Sequence, residues 1–132
     1  GAGLEDACLA YPATLPEIFG PPMWWTLHTV ASAYPENPTA QKRADCEAFV
    51  HALPGIVPCA ACGEHLREEL AGQNVPLACQ SGKELSLLWC KLHNKVNARL
   101  GKPIMDCSLA QQAYKLVPIC NAGTSSSSAP TG

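Results

Sequence analysis

Residues 84–103 read ELSLLWCKLHNKVNARLGKP, and this stretch decides the fold. It predicts the longest helix of the chain, from Glu84 to about Leu100, closed by Gly101 and then Pro103. A glycine readily takes the left-handed conformation that ends a helix, and a proline shortly after cannot continue it. Within the helix, His93 and Asn97 lie four residues apart and Asn94 and Asn97 three apart, so together with Leu100 they line one stripe. Amides and an imidazole on an inward stripe lose hydration unless something hydrogen-bonds them. A polar heterocyclic cofactor would meet that need. A solvated helix face with its cap is the other reading, and spacing alone leaves both open.

Upstream of this helix the chain reads as three more. Residues 1–20, with Pro12 and Pro16, form an N-terminal arm holding at most a short helical turn. Pro21-Pro22 can start a helix, because the first turn does not use those N–H groups. Met23 to Tyr34 (MWWTLHTVASAY) follows and is apolar on nearly every side, which predicts burial on several faces. Thr39 is an N-cap for a second helix running to about Leu53, with Phe49, Val50 and Leu53 on one face and Pro54-Gly55 as its stop. Pro58 sets up a third helix from about Cys59 to Leu70, with Gly72 just beyond it, and a loop then runs to Gly82. A short last helix is expected near Ser108–Val117, and residues 118–132, with Ser125 to Ser128 and Pro130, form a low-complexity, mobile tail. No segment alternates with a period of two for long enough to make a strand. The expected fold is all-α, a four-helix bundle plus a short fifth helix, formed by residues 21–117.

A length of 132 residues supports one domain, and 47% hydrophobic against 15% charged residues fits a compact body rather than a disordered one. The net charge of −2 and the lack of any Lys/Arg block give no electrostatic reason to expect nucleic acid or an acidic membrane surface. No apolar run approaches the roughly 18 residues of a membrane span. The sequence opens Gly1-Ala2-Gly3 with no signal-peptide pattern, so no targeting segment is expected in it. Asn37-Pro38-Thr39 is spoiled as a glycosylation acceptor by its proline.

Eight cysteines are the strongest compositional signal, and they favour a disulfide framework, a metal site or redox chemistry. Cys59-Ala60-Ala61-Cys62 follows Pro58 at a helix start, where free N–H groups and the helix dipole favour a thiolate. A dithiol that closes and reopens is what thiol–disulfide exchange requires. The motif alone also suits zinc or an inert structural pair. Cys90-Lys91-Leu92-His93 would complete a tetrahedral site with Cys59 and Cys62. Against zinc, Cys90 has another candidate partner in Cys107, and His93 belongs to a polar set that a metal would not need. Cys46 shares a face with Phe49, Val50 and Leu53 and reads as a buried, inert thiol; Cys79 lies in a loop, and a bond between the two is open. Trp25 reads as core or dimer interface, His51 and His65 as solvated positions, and Glu64, Arg67, Glu68 and Glu69 as an exposed charged face.

Taken in order, Trp24-x-x-x-His28 with Leu27, Tyr34-Pro35-x-x-Pro38-Thr39, Pro58-Cys59-x-x-Cys62, His93-Asn94-x-Val96-Asn97-x-x-Leu100-Gly101-Lys102-Pro103 and Asp106-Cys107 resemble the Erv/ALR family of FAD-linked sulfhydryl oxidases. The resemblance runs from about Gly20 to Tyr114. It implies a helical bundle holding FAD at one end, an enzyme that turns thiol pairs of protein substrates into disulfides, and oxygen as the acceptor, giving hydrogen peroxide. By the same resemblance Cys59 meets the incoming thiol and Cys62 is the flavin-proximal cysteine. Trp24, His28, His93, Asn94, Val96, Asn97, Leu100, Lys102 and Tyr114 fall at FAD-binding positions, Trp24 and Tyr114 suited to ring faces and Lys102 to pyrophosphate charge. Cys90–Cys107 matches the family's structural disulfide. No metal is implied, and a homodimer is.

Gly20-Pro21 stands where cellular members carry Gly-Arg, so an Arg contact to the cofactor is missing or supplied elsewhere; some large-DNA-virus members share the Gly-Pro. Tyr114 stands where many relatives have Trp and should still stack. Members of the family work in the mitochondrial intermembrane space, the secretory pathway or the cytosol of virus-infected cells, so the resemblance names no compartment. Cys8 and Cys120, in the two arms, fall roughly where some members link subunits or carry a shuttle cysteine. The leading expectation is a bond between them across a dimer. Non-reducing electrophoresis should then show a dimer band that a reductant collapses; a monomer band unchanged by reductant would sink the link.

Overall fold

In the computed structural model, residues 10–116 are described. They form α1 (Pro16–Ala33), α2 (Ala40–Ile56), α3 (Ala60–Ala71), α4 (Val75–Ala78), α5 (Gly82–Leu100), a 3₁₀ turn at Cys107–Leu109 and α6 (Ala110–Ala113). Among the described residues there is no strand, and the fold is the expected all-α one. Four helices are long; the 3₁₀ turn and four-residue α6 stand where one short last helix was expected, and four-residue α4 stands where a loop was expected. Cys8, Cys120 and Val117 lie outside the described residues.

The caps show why the elements fall where they do. Thr39 Oγ1 accepts from Lys42 N (3.1 Å) at the start of α2, as expected. Asn74 Oδ1 accepts from Leu77 N (3.0 Å) and makes α4 out of what reads as loop. Ser81 Oγ accepts from Glu84 N (3.1 Å), which starts α5 at Gly82, two residues ahead of the expected Glu84. Gly101, at φ 72°, ends it as the sequence predicts.

Three expectations need correcting. Helix α1 begins at Pro16 and runs through Pro21 and Pro22, because the turn at Pro12–Leu15 already aligns the chain and Ile18 N and Phe19 N donate to Leu15 O (2.8 and 3.0 Å). Proline's fixed φ suits a helix, and near the start it forfeits few bonds. Helix α2 likewise passes Pro54 and ends at Ile56, with Val57 N donating to Leu53 O (3.1 Å). Phe49 is 42% exposed; it meets Trp89 edge-on (centroids 6.4 Å apart) from the rim of the core, not inside it.

The core is centred on α5. Trp89, Leu92 and Cys90 are fully buried there, with Leu85 and Leu88 nearly so, and Leu27, Ala31 and Tyr34 of α1 pack against them together with Val50 and Leu53 of α2. Burial of α1 is thus confined to the Leu27, His28, Ala31 side, and Val30 faces out at 42% exposure. Cys46 is no inert thiol: it is bonded to Cys79, with Cα atoms 5.8 Å apart. Cys90 is bonded to Cys107 across 17 residues (Cα atoms 5.6 Å apart), tying the turn before α6 to α5. Replacing Cys107 by Ala should cost about 3 kcal/mol of stability, since a loop of this length loses that much chain entropy on closure. Urea denaturation of the variant against the parent measures it.

Candidate redox and cofactor site

Helix α3 opens on Cys59, whose extended backbone (φ −137°) makes it the N-cap, and its Sγ accepts from Cys62 N (3.2 Å). The pair is closed as a disulfide with Cα atoms 5.2 Å apart. Both cysteines are half-buried, beside exposed Pro58, Ala60 and Ala61. Negative charge on Cys59 Sγ would therefore meet an N–H donor and the positive end of a helix dipole, both of which stabilise it.

The facing surfaces of α1 and α5 bring Trp24, His28 and His93 together, and Tyr114, at the end of α6, completes the cluster. The Trp24 and His93 rings stack at 4.2 Å between centroids and 3° between planes, and His28 stacks on Tyr114 at 4.5 Å and 16°. His28 Nε2 and His93 Nδ1 are 2.9 Å apart, so one ring donates to the other and the two cannot both be protonated there. Both imidazoles are buried, and His28 Nδ1 is buried without a hydrogen-bond partner among the described residues. Burial, helped by the neighbouring His93, pushes the His28 pKa down to about 4, and burial raises that of Tyr114. With His28 and Tyr114 neutral at neutral pH, the cluster is aromatic and short of one hydrogen bond, which suits a flat heteroaromatic ligand.

The remaining stripe residues divide. Asn94 Nδ2 donates to Met105 O (2.9 Å) and Asn94 Oδ1 accepts from Met105 N (2.8 Å), so this amide pins the loop after α5 beside the Cys90–Cys107 bond. Asn97 is buried, its Nδ2 donating to Asn94 Oδ1 (3.4 Å). Val96 is half-buried, whereas Leu100 (58% exposed) and Lys102 stand in solvent at the end of α5. The four-residue zinc set does not assemble, because Cys90 spends its sulfur on Cys107, and no metal-holding group of three such side chains occurs among the described residues. Sequence reasoning missed Met105, since nothing local shows that its backbone will face Asn94. It left the Cys46–Cys79 pairing open, and the structure forms that bond.

The low pKa of His28 has a definite sign. The unfolded chain takes up this proton near pH 6.5 and the folded chain only near pH 4, so between those values the unfolded state binds more protons and stability falls as the pH drops. Above pH 6.5 the group adds no slope. From pH 7 to pH 5 the loss should be about 2 kcal/mol, read by urea denaturation, and His28→Gln should flatten it. Equal parental stability at the two pH values would contradict a neutral, buried His28.

The family described as Erv1 / Alr matches residues 21–115. The chain is 39% identical over 104 residues to the FAD-linked sulfhydryl oxidase ERV1 of Oryza sativa subsp. japonica, covering 79% of this chain and 52% of that protein. It is 32% identical over 101 residues to the putative FAD-linked sulfhydryl oxidase 096R of Invertebrate iridescent virus 3, covering 76% and 68%. The chain thus spans about half the length of its rice relative. Its fold superposes on the crystal structure of the yeast Erv1 core with a TM-score of 0.74, at 30% identity, covering 86% of this chain and 93% of that one. With the family model matching residues 21–115, this chain belongs to the Erv1/Alr family.

Proposed function

We propose that the chain is an FAD-linked sulfhydryl oxidase, taking electrons from pairs of protein thiols through Cys59 and Cys62. The observation that carries this reading is the closed Cys59–Cys62 disulfide at a helix start, in a bundle that also holds a buried imidazole–aromatic cluster with an orphaned nitrogen. In the first step a substrate thiolate attacks Cys59 Sγ; the Cys59–Cys62 bond breaks, and its electron pair leaves on Cys62 Sγ. A second substrate thiolate then attacks the substrate sulfur of the mixed disulfide and expels Cys59 as a thiolate, which the N–H of Cys62 is placed to stabilise. Two substrate thiols become one disulfide, two protons are released, and the cysteine pair holds two electrons.

The residues present fit FAD. Trp24, His93 and Tyr114 offer flat faces, the unpartnered His28 Nδ1 offers a hydrogen-bonding site, Asn97 and Val96 flank them on α5, and Lys102 is a free-standing cation for the phosphates. When bound, FAD supplies a two-electron acceptor that oxygen can reoxidise, giving hydrogen peroxide. In this reading Asn94 acts at one remove, by holding the loop that leads to Lys102 and Cys107. The homodimer remains part of the proposal: exposed Ile18 (44%) and half-buried Trp25 lie two turns apart on α1, and the buried Trp25 Nε1 has no partner among the described residues.

The purified protein should be yellow and should consume oxygen with dithiothreitol. Cys62→Ser should abolish that consumption and the long-wavelength thiolate–flavin band on partial reduction; Cys59→Ser should stop turnover yet keep the band. A colourless protein, or parental turnover in either variant, would overturn the assignment.

A further inference from the structure

Helix α3 carries the reactive pair on the least anchored of the long helices. Its buried residues are only Gly63 and Leu70, and the first turn, from Cys59 to Cys62, contains no buried apolar side chain. What holds that turn is α2. The Pro54 carbonyl would pair with the N–H of residue 58 in a continuing helix, but Pro58 has none. That carbonyl instead rests against Gly63: a Cβ there would collide with Pro54 O and lie 3.1 Å from Val57 Cγ2. At the far end, Arg99 Nη1 of α5 meets Glu69 Oε1 at 3.0 Å, a half-exposed ion pair of the kind that adds little.

The segment that includes α3 is nevertheless closed covalently. Cys46 lies in the middle of α2 and Cys79 caps α4, so their bond spans 33 residues with Cys59 and Cys62 inside the loop. Cys79 is fully buried and Cys46 8% exposed, and Cys79 O accepts from the buried Tyr34 hydroxyl (2.6 Å), which ties this end to α1 as well. An attacking thiolate must reach a sulfur in line, and the half-buried Cys59–Cys62 pair is open to that approach in a way the sealed pair is not.

We propose that Cys46–Cys79 is a positioning disulfide for the reactive pair, staying closed while Cys59–Cys62 opens and closes, and keeping α3 seated on α2 when the Cys59–Cys62 bond is broken. The proposal rests on Cys59–Cys62 being the pair that reacts with substrate thiols. A closed Cys59–Cys62 bond stiffens the start of α3 by itself; once it opens, the disulfide that spans α3 among the described residues is Cys46–Cys79. A clip that merely stabilised the fold would act equally in both states.

Two measurements test it. The full chain is held anaerobically with dithiothreitol, quenched at intervals with iodoacetamide, and mapped by mass spectrometry. Cys59 and Cys62 should be labelled at least a hundredfold faster than Cys46 and Cys79. Equal labelling of the two pairs overturns this proposal alone, and failure to label Cys59 and Cys62 overturns the oxidase reading and the proposal with it. The second measurement is amide hydrogen exchange over residues 60–71 in the parent and in Cys46→Ala/Cys79→Ala, each with Cys59–Cys62 oxidised and then reduced. The parent should protect α3 alike in both states, while the double variant should lose at least tenfold in protection on reduction only. Protection that falls by the same factor in both states, or not at all, overturns it. Should the double variant fail to fold, the parent's own exchange decides: protection over residues 60–71 that drops when Cys59–Cys62 alone is reduced overturns the proposal.

Discussion

Helix α5 meets α1 along a face where Leu85, Trp89 and Leu92 are shut off from solvent and where His93 reaches the ring of His28 at 2.9 Å. Everything else in the molecule is arranged around that contact. Helices α3, α4 and α6 each pack against α5, and the Cys90–Cys107 bond returns the chain to it after the loop at Gly101. Burying two imidazoles in this interface costs hydration, and the structure offsets that cost by pairing them with each other and sandwiching them between Trp24 and Tyr114. The offset is incomplete, because His28 Nδ1 keeps no partner among the described residues. Buried polar groups left short of a hydrogen bond tend to mark function rather than stability.

The cysteines fall into two kinds for a physical reason. Cys90 and Cys79 are wholly buried and join elements distant in sequence, so their bonds act on chain entropy and are shielded from exchange. Cys59 and Cys62 sit three apart at a helix start, half-buried, where an N–H points at sulfur. Burial and local electrostatics, not the number of cysteines, separate the clips from the pair that can work. The two clips also divide the chain: one closes the loop bearing the reactive pair, the other the loop bearing the end of the polar stripe.

Much of this was legible in advance wherever the governing physics is local. Thr39 as an N-cap, Gly101 as a helix stop and Cys59–Cys62 at the start of α3 depend on a few neighbouring residues, and each stands where the sequence places it. Pro21-Pro22 reads as a helix start and Pro54-Gly55 as a stop, yet α1 begins before the first and α2 runs past the second, because a proline removes only its own helical N–H and neighbouring turns hold the chain. Phe49 was misplaced because periodicity gives the angle of a face but not where the neighbouring helix ends. Ordered motifs from Trp24 to Cys107 carried the family, as the match over residues 21–115 bears out.

By itself, then, the sequence determined the four long helices in outline, the Thr39 cap and the Gly101 stop, the Cys-x-x-Cys motif and the family, all of which are written in residue order and short spacings. Only the tertiary structure decided that Cys46 meets Cys79, that Asn94 is spent on the Met105 backbone, and that His28 and His93 share one hydrogen bond. Those contacts join residues 33, 11 and 65 positions apart. They exist because packing α5 against α1, and α2 against α4, brings particular side chains within a few ångströms, and no local pattern encodes that distance.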